Sequence, residues 1–427
     1  MNIKAKFLFG GRMFIDIPDC AKKLAKFFPE GLYVVGGYVR NKLLNLSGGD
    51  IDLASDVDID EVVKRLEGSA FVAKVKNLQM GTLEISCQKT GRIFEYTAFR
   101  KEKYSTDGKH FPVSVSRTHD IREDAIRRDF SINSIYYNIS KDEIVDFYHG
   151  IIDLKQRVVR CNINPDDVLQ YDGERILRMI RIAGELDFKI EKQTMLSAIK
   201  FSQNIKALQG GRRYREIQKI LNCDQRYGES RSGLKRALKL LNLLSAWHCF
   251  GLKSKKIKHK MSLRMKSKQD RFLGLLIDIV DTEKPECLET FIEEFLCKQF
   301  AFSNEEAQRV FKYLAGYYDA LNGMNNKEYF FKYYNDWAQI YQLLGGKSKR
   351  VLARYNFFYQ YIIEHGLVIK VDDLAIDEND IRRNFPDIDR KNYAKILKNL
   401  LSKVFDGKVL NKKQDLLDEI EKNLQNY

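Results

Sequence analysis

Two acidic residues separated by one position, Asp50 and Asp52, follow the segment Gly36-Gly37-Tyr38-Val39-Arg40, with Asp50 ten residues after Arg40. If residues 50–54 form a strand, the two carboxylates share a face, ~7 Å apart along the chain. Neighbouring carboxylates repel, and a cation relieves the repulsion; oxygen ligands of this hardness suit Mg2+. Two metal ions held this way activate an attacking hydroxyl and steady departing phosphates. Gly36 and Gly37 let the backbone approach a triphosphate, and a helix starting there turns its first amides toward the phosphates. Arg40 adds a bidentate phosphate contact. An Asp-x-Asp by itself is most simply a solvated strand edge; the glycine pair and arginine at this spacing favour a site. Glu95 shares a strand face with Ile93 and Thr97, a face expected to point inward. It is the third catalytic candidate, against the plainer reading of a sheet-edge glutamate.

These groups need a frame. Leu32–Val35 reads as a strand entering Gly36-Gly37, and the helix after it places Val39, Leu43 and Leu44 on one side. Gly48-Gly49 makes a turn, and Asp50–Ala54 forms the second strand. Asp58 with Glu61 three residues on has the pattern of a capping box, and Gly68 closes that helix. Strands are expected over Phe71–Lys76, Thr82–Gln88 and Arg92–Thr97, the last two joined as a hairpin at Thr90-Gly91. Beyond about Asp167 strand signals stop. Helical periodicity covers Tyr171–Asp187, Tyr214–Leu221, Leu234–Leu244, Arg271–Val280, Glu305–Tyr318 and Tyr393–Phe405.

The run Gly36–Leu44 with Asp50-Ile51-Asp52 resembles the first motif of class II CCA-adding tRNA nucleotidyltransferases and bacterial poly(A) polymerases. Arg127-Arg128-Asp129-Phe130-Ser131-Ile132-Asn133-Ser134 is similar to the second, Asp146–Leu154 to the third, Asp172–Arg181 to the fourth, and Arg212–Glu216, more loosely, to the fifth. The resemblance covers about the first half of the chain. It implies an α+β N-terminal head with a polymerase-β-like palm (1–155), a helical neck carrying the base-reading helix (156–225), and an all-α body and tail that bind tRNA (226–427). It further implies template-independent addition of C, C and A from CTP and ATP to a tRNA 3′ end, with Mg2+ on Asp50 and Asp52 and with Gly37, Arg40 and Arg128 on the triphosphate. An enzyme adding only C, one adding only A, a poly(A) polymerase, and a non-catalytic RNA-binding protein with a degenerate head are the other readings.

In this family protein side chains choose the base, and the chemistry suits Asp172 and Arg175, three apart on one helix surface. A carboxylate accepts from an exocyclic amino group and a guanidinium donates to a ring nitrogen. Cytosine and adenine offer that pair; uracil and guanine do not and would be left with unpaired polar edges. Arg178 and Arg181 continue on nearly the same side, to meet phosphates or hold the aspartate. The segment from Thr97 to Val115 resembles the family's flexible loop for switching from C to A. Two positions depart from the family pattern: Asn41 replaces the usual acid after the arginine, and Gly173 stands where a proline normally begins the fourth-motif helix.

The chain of 427 residues carries a formal charge of +15, which favours a polyanionic partner. No apolar run approaches the ~18 residues of a membrane span. The patch Phe7–Phe9, among Lys4, Lys6 and Arg12, is too short for a signal-peptide core. Seven cysteines are scattered without a Cys-x-x-Cys pair, which suggests reduced thiols in the cytoplasm and argues against zinc. Leu252–Arg271 holds nine Lys or Arg against Asp270 alone; within it Lys255, Lys256, Lys258, Lys260 and Arg264 are candidate tRNA contacts. The aromatics Tyr329, Phe330, Phe331, Tyr333, Tyr334 and Trp337 read as helix–helix core, and Gly345-Gly346-Lys347-Ser348 as a turn. The stretch from Asp373-Leu374 through Leu397, Gly407 and Asn411 to Leu416 loosely resembles the tail of short CCA-adding enzymes.

Overall fold

The computed structural model describes residues 15–104, 112–228, 231–324, 327–347 and 349–424. The N-terminal patch around Phe7–Phe9 and positions 105–111 of the loop segment lie outside these residues.

The head is a seven-stranded sheet in the order β3-β4-β5-β2-β1-β8-β9. Its strands are β1 (Tyr33–Val35), β2 (Asp52–Ser55), β3 (Phe71–Asn77), β4 (Thr82–Cys87), β5 (Ile93–Ala98), β8 (Tyr136–Asn138) and β9 (Glu143–Val145). All neighbours are antiparallel except β2 and β5, which run parallel. The strand expected from Asp50 starts at Asp52, because Asp50 and Ile51 precede the first ladder pair, Val35 with Asp52. Residues 46–50, including Gly48-Gly49, form an irregular connection with no assigned turn.

Alternation in β4 and β5 gives the sheet two unlike sides. Leu83, Ile85, Phe94 and Tyr96 are fully buried, and Phe28 of the N-terminal segment packs on Tyr96 at 5.7 Å between ring centres. The other side carries Glu84 and Glu95, which face each other in register. Ile93 and Glu95 are exposed, so the side expected to point inward is the open one.

Helices α1 (Asp19–Ala25), α2 (Gly37–Leu43), α3 (Ile59–Leu66) and α4 (Ile121–Ile126) complete the head. Asp58 stands at the N-cap of α3 but makes no capping bond; its carboxylate pairs with Arg117 at 3.1 Å, and Glu61 pairs with Arg65. The flanks of the expected flexible loop are not irregular: β6 (Arg100–Lys103) and β7 (Ser114–Arg117) form a separate antiparallel ribbon.

Helix α5 (Gly150–Gln156) follows β9, and after it come α6 (Pro165–Leu169), α7 (Gly173–Leu186), α8 (Lys192–Lys200), α9 (Gly210–Leu221) and α10 (Arg231–Leu243). One small exception interrupts the helical part: β10 (Val158–Val159) pairs in parallel with β11 (Lys189–Ile190). Helix α7 buries Ile176, Leu177, Met179, Ile180 and Ala183, leaving Arg175, Arg178 and Arg181 on its remaining side.

The chain forms two compact units. The first runs to His259 and includes 281–284 and 294–302, so it holds the expected head and neck and the beginning of the expected body. The second comprises 260–280, 285–293 and 303 onward. Within the second unit Tyr329, Phe330 and Tyr333 are buried, and Trp337 stacks on Tyr355, as expected of core. Gly345, Gly346 and Lys347 belong to the helix Trp337–Lys347 and not to a turn. Leu374, Leu397 and Leu416 meet in one apolar cluster, tied by the Asn411 side chain, which donates to Asp373 O and accepts from Ala375 N, both at 2.8 Å. Among the described residues no helix is long and apolar enough to cross a membrane.

Candidate active site

A cleft of 660 Å3 opens in the first unit, lined by Gly36, Gly37, Arg40, Asp50, Asp52, Arg128, Asp172, Arg175, Arg178 and Arg181 among others. Residues that lie up to 190 positions apart in sequence, from Gly36 to Arg226, thus share one cavity of a size suited to a nucleotide. Ten basic side chains line it against six acidic ones, a balance that draws in a polyphosphate.

Gly36 connects β1 to α2 with φ +81, and a Cβ there would stand 3.1 Å from Asp52 Oδ2. Only glycine combines that backbone with that approach. Asp52, at the start of β2, lies beside Glu95 of β5 in register. Burial, then the neighbouring charges of Glu95 and Asp50, push its carboxyl up to about 6. Asp50, Asp52 and Glu95 have no hydrogen-bond or ion-pair partner among the described residues, so a divalent cation fits this acidic group. Glu95 does not line the cleft. Among the described residues no three His, Cys, Asp or Glu side chains form a ready cage.

Arg40 is 4% exposed. Its Nη1 donates to Asn133 Oδ1 at 2.7 Å, Nε and Nη2 donate to Asn41 Oδ1, and Nη2 also reaches Tyr227 Oη at 3.2 Å. Every acceptor is neutral, and burial lowers the guanidinium pKa. Asn41 keeps the geometry of an acceptor but brings no negative charge into contact with the guanidinium, and Glu185, which lines the same cleft, acts on it only through space.

Arg128 is anchored differently. Its Nη2 donates to Asp124 Oδ2 at 2.9 Å and its Nε to Tyr136 Oη at 2.7 Å, while Tyr136 donates to Asp124 at 2.6 Å. Burial works against a charged Asp124, yet Arg127 and Arg128 hold its carboxyl below the usual carboxylate range.

Asp172 is the N-cap of α7, one residue before the helix, and its Oδ1 accepts from Glu174 N at 2.8 Å. Arg175 still stands beside it, Nε to Oδ2 at 3.5 Å. Gly173 has a packing reason: a Cβ there would lie 2.4 Å from the carbonyl oxygen of Asn204. Arg178 does not hold Asp172; it pairs with the buried Asp129 at 2.6 Å. Arg181 pairs with Glu216 at 2.9 Å and Glu185 at 3.0 Å, and Arg212 of α9 pairs with Glu174 at 2.8 Å. The fifth motif therefore braces α7.

Sequence reasoning passed over Asp129, which anchors Arg178, and Tyr104, which lies on Arg175. Asp129 lies inside the motif Arg127–Ser134, so its position is visible in the sequence though its task is not. Tyr104 falls within the Thr97–Val115 segment, but nothing in the sequence pairs it with Arg175. The third motif is structural: Asp146 accepts from the amides of Gly150 and Ile151, and buried Asp153 accepts from Ser131 Oγ at 2.6 Å. Of the basic stretch, Lys255, Lys256, Lys258, Lys260 and Arg264 are exposed on an irregular segment, whereas Arg271 is buried and donates to Met265 O.

Residues 32–160 match the family model described as the poly A polymerase head domain. Over these residues the N-terminal head of this chain is similar to the poly A polymerase head domain. It is similar to the CCA-adding enzymes of Enterococcus faecalis, 32% identical over 196 residues covering 46% of each chain, and of Ligilactobacillus salivarius, 34% identical over 196 residues covering 44% of this chain and 46% of that one. The match thus spans about half the length of these relatives. In fold the likeness extends further than the poly A polymerase head. The CCA-adding enzyme of Bacillus stearothermophilus, solved in complex with CTP, aligns over 95% of this chain and 97% of its own with a TM-score of 0.66 at 17% identity. That of Thermotoga maritima, solved with tRNA, aligns over 95% of both chains with a TM-score of 0.57 at 19% identity. The fold of an α+β head followed by helices is therefore shared along nearly the whole chain.

Proposed function

We propose that this chain is a CCA-adding tRNA nucleotidyltransferase, joining C, C and A from CTP and ATP to the 3′ end of tRNA with release of pyrophosphate. The observation that carries this reading is the placement of Asp50 and Asp52, carboxylates without cationic partners, in the same arginine-rich cleft as Asp172 and Arg175. The relatives that match half of the chain are CCA-adding enzymes, and structures sharing its fold hold CTP in one case and tRNA in another.

Asp50 and Asp52 would hold divalent metal, with Glu95 adding negative charge beside Asp52. Mg2+ is the ion best suited, since it keeps part of its coordination for water and phosphate oxygens. When bound it would neutralise charge on the triphosphate and lower the pKa of the attacking 3′-hydroxyl. The protein's own work is positioning and charge stabilisation. Gly36 and Gly37 give room for phosphates; Arg40 and Arg128 contact them. Asp172 accepts from the amino group of cytosine or adenine and Arg175 donates to the adjacent ring nitrogen. Arg178, fixed by Asp129, and Arg181, fixed by Glu185 and Glu216, keep positive charge next to the base and phosphates.

Residues 1–155 would serve as catalytic head, 156–225 as neck, and 226–427 as body and tail gripping tRNA, with Lys255, Lys256, Lys258, Lys260 and Arg264 among its contacts. The scattered free thiols agree with work in the cytoplasm.

The test is extension of a tRNA transcript ending at the discriminator base, given CTP, ATP or both with Mg2+. Two Cs with CTP alone and one further A with both support the proposal. Long A tails would make the chain a poly(A) polymerase, Cs alone a C-adding partner enzyme, and a single A on a CC-ended tRNA an A-adding one. No extension of either RNA would leave an RNA-binding protein with an inactive head.

A further inference from the structure

Helix Lys349–Glu364 of the second unit has two unlike sides. Tyr355 and Ile362 are buried, and Tyr355 and Tyr359 pack on Trp337. That side holds the helix in place. On the other side Arg350, Arg354, Phe357 and Tyr361 follow one another at spacings of four, three and four, which sets them in one stripe. Phe357 is 76% exposed and Tyr361 43%. His365, one residue past the helix, extends the stripe: its ring stacks on Tyr361 with centres 4.0 Å apart, and its Nδ1 lies 2.9 Å from Tyr361 O. Arg350 and Arg354 are exposed and have no acidic partner among the described residues. The stripe is ~22 Å long at helical rise.

Core packing does not explain this composition. Single exposed apolar residues are ordinary, but here two partly exposed rings are aligned with two exposed cations on a chain of charge +15. Phosphates pair with guanidinium groups, and unstacked bases lie on aromatic rings. A protein partner would be expected to answer Arg350 and Arg354 with acids; RNA answers the cations and the rings together.

We infer that this stripe is an RNA-binding surface, on which Phe357 and the Tyr361–His365 pair stack exposed bases while Arg350 and Arg354 neutralise the adjoining phosphates. The inference rests on the proposed function for the identity of the RNA, a tRNA, and adds a contact surface separate from the segment at 252–271.

The experiment uses the full chain and a tRNA transcript lacking its CCA end. Binding is measured for the wild type, for Phe357→Ala with Tyr361→Ala, and for Arg350→Gln with Arg354→Gln, across a salt series. The aromatic variant should lose at least about thirtyfold in affinity with an unchanged salt slope, since each of the two stacked bases contributes about 1–3 kcal/mol. The arginine variant should lower the salt slope by about 1.5–2, the loss of two phosphate contacts. A Phe357→Trp variant should show fluorescence quenched by the RNA beyond that of the wild type. The altered side chains are exposed, and unchanged melting temperatures would confirm intact folding. Affinities within twofold of the wild type, with no added quenching, would overturn the inference, and a protein partner would then be sought. Nucleotide addition by the wild type, scored on the same RNA, separates the two claims: its absence would count against the proposed function and leave the binding result to decide the stripe.

Discussion

Arg175 lies over the ring of Tyr104, its guanidinium carbon 5.2 Å from the ring centre and its Nη2 3.3 Å from the hydroxyl oxygen. The same Nη2 donates to Arg127 O at 3.0 Å and Nη1 donates to Val168 O at 3.3 Å. Backbone acceptors are fixed; the Tyr104 hydroxyl, which also donates to Glu102, is the partner a base can replace. Tyr104→Phe should therefore lower KM for CTP and ATP about threefold to tenfold, the worth of one hydrogen bond of about 1 kcal/mol, with kcat unchanged. Steady-state kinetics with each nucleotide decide it, and an unchanged or raised KM would show that Tyr104 does not compete with the base.

Asp52 joins function to a stability cost. Its carboxyl is held at about 6, above the ~3.9 of an unfolded aspartate. The folded state thus binds that proton more tightly, and the penalty is absent below pH ~4, grows to pH 6 and is complete above it. The difference corresponds to about 3 kcal/mol. Asp52→Asn should raise the melting temperature in chelator at pH 8 and leave it nearly unchanged at pH 4, while nucleotide transfer is abolished. Equal shifts at both pH values would refute the charge argument.

Asp124 shows the opposite sign. Its carboxyl is held low by Arg127 and Arg128 against burial, so its contribution is present above pH ~4 and lost as acid titrates it. Asp124→Asn should cost about 3–5 kcal/mol in urea unfolding at pH 7, because buried guanidinium groups lose their counter-charge. The variant's stability should fall less steeply below pH 4 than the wild type's. It should also raise KM for nucleotides, since Arg128 loses its anchor.

Gly173→Ala introduces a Cβ 2.4 Å from a backbone oxygen, which no side-chain rotation relieves. Destabilisation of about 1–3 kcal/mol is expected from overpacking. Asp172 is the adjoining residue, so discrimination between CTP and UTP should weaken in the same variant. Unaltered discrimination with a lowered melting temperature would show that the N-cap geometry survives the strain.

The sequence alone determined the elements and the inventory of groups. Alternation in Thr82–Cys87 and Ile93–Ala98 and the period of Gly173–Leu186 are local properties, because hydrophobic spacing and backbone geometry act over a few residues. Gly36 and Gly37 ahead of Asp50 and Asp52 suggest a phosphate-and-metal chemistry for the same reason: these residues fall within one short strand-helix-strand segment. What the tertiary structure decided is how the groups face one another. The sense of Glu95 depended on which side of the sheet the N-terminal segment covers, and that side is the one bearing Phe94 and Tyr96. Arg178 is held by Asp129, 49 positions away, and Arg175 meets Tyr104 across 71. Such pairings follow from strand order and helix packing, and no local pattern encodes them. Asn41 and Gly173, departures when read as letters, become understandable only in three dimensions. One gives Arg40 a neutral acceptor in place of an acid; the other makes room for the backbone of Asn204 at the start of Gly173–Leu186.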